Sequence, residues 1–194
     1  MFKVCVLLIV ITFLFYRCTD SPEAQYKALE KTELQSGVRH DSIFKGLYFG
    51  MKHQDFRDYC YKKNTVDHDF KMGGSNGSWL ESKLNGELSY PAAINFYPVF
   101  AKGVITEMNA LIYYDNAVFK DGTFDKDSLL LDVITMMERW YEKPFLKIKS
   151  PYTFKDDIYV SVHGNRRVTV YPAQTPEIKV WIVDLYAKKE TETP

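Results

Sequence analysis

Few residues in this chain have both the type and the spacing to do chemistry. Asp67-His68-Asp69 brings three potential metal ligands together. Neighbouring side chains of an extended strand alternate faces, however, so His68 points away from both aspartates, and no histidines stand at i,i+4 to complete a ligand set. No metal site is expected. Cys60 as a nucleophile would need a histidine and an orienting polar group converging on it. Its neighbours Phe56 and Tyr59 instead place it on an apolar helix face, the usual setting of an inert packed thiol. Gly73-Gly74-Ser75-Asn76-Gly77 has the glycines of a phosphate loop but neither the Lys-Ser/Thr pair nor the following helix. Trp79-Leu80-Glu81 follows it and reads as strand, so the glycines read as a loop and no cofactor is expected. The chain has no Gly-x-Ser-x-Gly elbow and no His-Glu-x-x-His helix. Arg166-Arg167 is the one adjacent arginine pair, and in a strand its two side chains point to opposite faces.

The elements that position these residues follow from periodicity. A helix is predicted from Leu129 to Glu142, after Asp127 or Ser128 as N-cap. Leu130, Val133, Ile134, Met137, Trp140 and Tyr141 recur in it at three- and four-residue steps, and Pro144 ends it. A second helix spans about Lys52 to Lys63, with Phe56, Tyr59 and Cys60 inward. Period-two alternation marks strands at Ile94 to Val99 and Val104 to Tyr114, joined through Ala101-Lys102-Gly103. It marks two more at Ile158 to His163 and Arg167 to Tyr171, around a Gly164-Asn165 turn, and a last one at Ile178 to Ile182. Weaker strands fit Trp79 to Leu84, Phe145 to Lys149 and Val66 to Met72. The fold class expected is α+β: antiparallel sheet with two helices packed on one face, arranged as a tandem duplication of an α-β-meander unit.

The N-terminus carries an address. Lys3 precedes an apolar run from Val4 to Tyr16, then Arg17 and Cys18, then the polar Thr19-Asp20-Ser21-Pro22-Glu23. The run has the length of a signal-peptide core and is short of the ~20 residues that span a bilayer as a helix. No small-residue cleavage site closes it, and a cysteine directly behind the apolar core resembles the lipobox of bacterial lipoprotein precursors. That resemblance implies cleavage before Cys18, a diacylated Cys18 as first residue of the mature chain, and a place in the cell envelope at the outer membrane. Phe15, Tyr16 and Arg17 stand where lipoboxes usually carry Leu and small residues, and Arg17 leaves an uncleaved, single-pass signal anchor as the alternative. Gly50-Met51-Lys52-His53-Gln54-Asp55-Phe56 resembles the helix opening of small envelope lipoproteins, including those of outer-membrane assembly machinery.

Composition describes an ordinary globular domain: 46% hydrophobic, 26% charged, with 25 basic and 25 acidic residues. The basic residues are scattered, so nucleic acid is not an expected partner. The organisation expected is a signal peptide over 1–17, a polar tether over 18–42, one α+β domain over 43–187 and a disordered tail over 188–194. With Cys5 in the leader and Cys18 acylated, Cys60 is the one remaining thiol and no internal disulfide is available.

Function then falls to the sheet. Tyr159, His163, Arg167, Tyr171 and Trp181 are expected on the face opposite the helices, a mixture of rings and polar tips that suits recognition. The leading reading is a lipid-anchored, non-catalytic binding or assembly-accessory domain whose partner is another envelope protein or a small ligand. The alternative is an envelope hydrolase with a carboxylate/histidine site assembled by the fold.

Overall fold

The structure is a computed structural model that describes residues 21–73, 79–115, 126–150 and 157–192. The apolar leader, Cys18 and Gly74 to Ser78 lie outside the described residues. Among the described residues four helices, α1 (Pro22–Gln35), α2 (His53–Thr65), α3 (Lys126–Tyr141) and α4 (Leu185–Glu192), accompany eight strands. These are β1 (Phe70–Gly73), β2 (Trp79–Lys83), β3 (Ala92–Ala101), β4 (Val104–Tyr114), β5 (Leu146–Lys149), β6 (Asp157–His163), β7 (Arg166–Pro172) and β8 (Ile178–Asp184). All eight form one antiparallel sheet in the order β1-β2-β3-β4-β8-β7-β6-β5, so the class is α+β and mostly sheet.

The sheet's first half is built on the β3–β4 hairpin, whose turn residues Lys102 and Gly103 both take left-handed backbone (φ 51° and 81°), as a twist-matched two-residue turn requires. The halves meet where β4 pairs with β8, with Met108 opposite Ile182, Ala110 opposite Val180 and Ile112 opposite Ile178. All six are fully buried. Over this seam α3 lays Leu129, Leu130, Val133, Met136, Met137 and Tyr141 against β7, β8 and β4; of the face expected from spacing, Ile134 and Trp140 are only half-buried, and Leu129 and Met136 join it. Helix α2 contributes Cys60 to the same core beside Phe70 of β1.

A second, smaller core lies on the other side of the sheet, as the register dictates. Ile148, Ile158, Val160 and Val162 gather there with Tyr171 and Leu185, and Tyr26, Leu29 and Leu34 of α1 pack on them. The polar stretch read as a tether is therefore, over Pro22–Gln35, a helix docked on β5 and β6. The three large apolar residues it packs, Tyr26, Leu29 and Leu34, are too few to announce a helix from sequence. Tertiary contacts supply what an isolated helix lacks. Tyr186 Oη donates to the Leu34 carbonyl (2.9 Å), and Glu33 accepts from the Gly164 amide (2.8 Å) and Lys143 Nζ (3.1 Å). The C-terminal tail likewise begins as helix α4, which reaches Glu192.

Burial decides the role of Cys60. It is 2% exposed, and desolvation pushes its thiol up to about 12. A thiol held protonated is a poor nucleophile. Peptide mapping after iodoacetamide treatment at pH 8 is expected to find Cys60 unmodified in the native chain and modified in denaturant. Rapid native alkylation would contradict the packing.

Candidate functional site

The five residues expected on one open sheet face are divided between two faces. A two-residue turn pairs residues of opposite parity, and Gly164-Asn165 sets Tyr159 opposite Val170, Ser161 opposite Val168 and His163 opposite Arg166. Val160 and Val162 therefore do not share a face with Val168 and Val170. Tyr159 and His163 lie on the α3 side, while Arg167, Tyr171 and Trp181 lie on the α1 side.

The α1-side trio is already engaged. Arg167 Nη1 donates to Tyr26 Oη (3.3 Å), faces Glu30 at 3.7 Å and lies 5.4 Å over the Trp181 ring. Trp181 Nε1 donates to Glu107 (2.7 Å), and Tyr171 is buried in the smaller core. The Arg167 contacts dock α1. They leave no open recognition face at Arg167.

On the other side, His163 stacks on His40, with ring centroids 3.6 Å apart. His163 Nδ1 and His40 Nε2 are both buried without a hydrogen-bond partner. The stack clamps the arm after α1 to the β6–β7 turn, where Asn165 Oδ1 accepts from the His40 amide (2.6 Å). Gly164 is required there. Its φ is +57°, and a Cβ on it would stand 2.4 Å from the Val38 carbonyl oxygen. Glu33 and Lys143 border the imidazoles, but among the described residues no imidazole is hydrogen-bonded to a carboxylate, the contact a general-base pair would use. Asp67 and Asp69 both bind Lys63 at 2.9 Å, His68 faces the Asn64 carbonyl, and the described residues hold no cluster of three metal-ligating side chains.

One strand position along, Arg166 makes the arrangement with most chemical capacity. It is the member of the Arg166-Arg167 pair that the alternation sends to the α3 side, and it is 5% exposed. Its guanidinium carbon sits 4.1 Å over the Tyr141 ring, and Nη1 donates to the Ser42 carbonyl at 2.8 Å. Nε is buried without a partner, and among the described residues no carboxylate lies in ion-pair range of the side chain. Asp184, its register neighbour on β8, is held by Arg39 at 2.9 Å. Burial lowers the guanidinium's proton affinity from its ordinary value, with Tyr141 opposing, yet an arginine stays charged in proteins. A buried cation without an anion is costly, and here it opens on a cleft of about 400 Å³.

The cleft is lined by Ser42, Ile43, Phe44, Lys45, Glu87, Trp140, Tyr141 and Arg166. Tyr141 is fixed from below by donating to the Ile43 carbonyl at 2.7 Å. Glu87 is held at the rim by Arg139 (2.8 Å) and by Trp140 Nε1 (3.2 Å). A cation at the floor with aromatic walls can hold an anionic group against an apolar body. Sequence reasoning noted Arg166 but missed this site, because its other members come from a loop, a turn and the end of α3, separated by up to 124 positions.

Against known protein families, curated proteins and solved structures, this chain has no match. Among the described residues, no helix is long and apolar enough to cross a membrane.

The histidine stack makes stability pH-dependent. Burial, with His40 and Lys143 nearby, holds His163 below its ordinary value near ~6.5, so the folded state binds fewer protons there than the unfolded chain. Its contribution is present above about pH 6.5 and lost as pH falls through the lowered value. The melting temperature is expected to fall between pH 7 and pH 5, and to fall less in His163→Asn. An equal fall in both chains would contradict the stack's role.

Proposed function

We propose that this chain is a non-catalytic binding domain that receives an anionic group in the Arg166 cleft and is held at an envelope membrane, the outer membrane, through lipid on Cys18. The observation that carries the binding role is the buried guanidinium of Arg166, unpaired with any described carboxylate and opening on an aromatic-walled cleft. The engagement of Arg167 with Tyr26 and Glu30 of α1, and of Trp181 with Glu107 of β4, supports the cleft over the sheet face as the binding place. The anion belongs to a small ligand or to another envelope protein. The anchor rests on the apolar run from Val4 to Tyr16 ending at Cys18.

The architecture reads as a tandem duplication, α2 with β1 to β4 and α3 with β5 to β8, the two units joined through their last strands. Two four-stranded meanders in the order β1-β2-β3-β4 and β8-β7-β6-β5 support this, as does the presence of both helices in one core.

Two measurements test the proposal. Metabolic labelling with a fatty-acid analogue is expected to mark the wild-type chain and not Cys18→Ala, which should leave the membrane fraction; label on Cys18→Ala would refute the anchor. Small anions at millimolar concentration are expected to raise the wild-type melting temperature and leave Arg166→Met unmoved. Equal responses would refute the cleft.

A further inference from the structure

We infer that the ligand of the Arg166 cleft is a small organic monocarboxylate, its carboxylate on the Arg166 guanidinium and its apolar or aromatic body against Phe44 and Trp140. This inference rests on the proposed binding role of the cleft and names the ligand class.

Three observations converge on it. The first is geometry. The Tyr141 ring closes one flat face of the guanidinium at 4.1 Å, and the Ser42 carbonyl takes Nη1. No described protein acceptor takes the remaining N–H groups; Nε is sealed from solvent, so the edge left for a ligand is the Nη1/Nη2 end of the guanidinium. A planar carboxylate accepts two parallel N–H bonds from such an edge, in the bidentate fork that arginine favours.

Charge supplies the second. Arg166 is the one cation at the cleft floor, and the rim residues Lys45 and Glu87 have opposite signs. One negative charge neutralises the floor.

The third is shape. Phe44 and Trp140 stand with ring centroids 6.1 Å apart at 38°, and Ile43 and Tyr141 continue the apolar lining. A volume of about 400 Å³ is within the range of small-molecule sites, and a bare inorganic oxyanion would leave the aromatic walls uncovered. An apolar body covers them.

The test uses the full chain in zwitterionic detergent, titrated by calorimetry and by NMR of the Trp140 indole. The probes are phenylacetate, its neutral isostere phenylacetamide, acetate and inorganic phosphate. Phenylacetate is expected to saturate and to shift the Trp140 indole. Phenylacetamide, lacking the charge, and acetate, lacking the body, are each expected to bind at least about tenfold more weakly. Arg166→Met is expected to lower phenylacetate affinity by at least about tenfold and Arg166→Lys by less, since lysine keeps the charge and loses the fork. Trp140→Leu is expected to weaken phenylacetate and leave acetate unchanged. Should Arg166→Met fail to fold, Arg166→Lys and Trp140→Leu decide.

Phenylacetate binding no tighter than phenylacetamide, or equal in wild type and Arg166 variants, overturns the inference. Arg166-dependent binding of phosphate without phenylacetate overturns the carboxylate assignment and leaves the anion cleft standing. No Arg166-dependent binding of any anion removes both.

Discussion

The pairing of β4 with β8 is the contact on which the rest of this molecule depends. Each strand ends one run of four, and without their ladder the chain would hold two small sheets with long apolar edges. The six fully buried side chains along the seam, from Met108 and Ile182 to Ile112 and Ile178, form the floor on which α3 rests. Removing a large aliphatic from such a floor costs about 2–5 kcal/mol, a large part of a domain's net stability. The seam fixes β8, β8 fixes the register of β7, and α3 fixes Tyr141 above it. The Arg166 cleft follows from those three placements.

A turn of two residues then decides which arginine is buried. Because Gly164-Asn165 pairs odd positions of β6 with even positions of β7, Arg166 is carried to the α3 side and Arg167 to the α1 side. The two guanidiniums meet different fates. Arg167 finds Glu30 and Tyr26 on α1 and serves docking. Arg166 finds a ring and one carbonyl and keeps an uncompensated charge. A hydrophobic residue of similar size would fill that place at no electrostatic cost, so a buried arginine held there is better explained by a ligand than by stability.

Much of the fold is legible in the sequence where one physical signal dominates. The face of α3, the end of that helix before Pro144, the Lys102-Gly103 and Gly164-Asn165 turns and the alternation of β8 all follow from spacing and turn chemistry. Helix α1 is not legible. Its apolar positions, Tyr26, Leu29 and Leu34, are sparse, and its stability comes from Glu33, Tyr26 and Tyr186 reaching groups more than 100 positions away. The same limit applies to the cleft. Alternation predicts that Arg166 and Arg167 part company, but which of them meets a carboxylate depends on α1, whose docking no periodicity reveals. The single face expected for Tyr159, His163, Arg167, Tyr171 and Trp181 fails for a simpler reason: the Gly164-Asn165 turn inverts the parity of the alternation.

The Arg166 guanidinium awaits an acceptor that the described residues do not provide. The Nη2–H resonances of Arg166, observed by NMR at low temperature in the ligand-free chain and again with saturating phenylacetate, are the most direct test of this. An upfield position characteristic of unbonded N–H groups is expected in the free chain, with a downfield move when the carboxylate enters. A free-chain resonance already downfield, correlated across a hydrogen bond to an oxygen of the protein and unmoved by ligand, would contradict it.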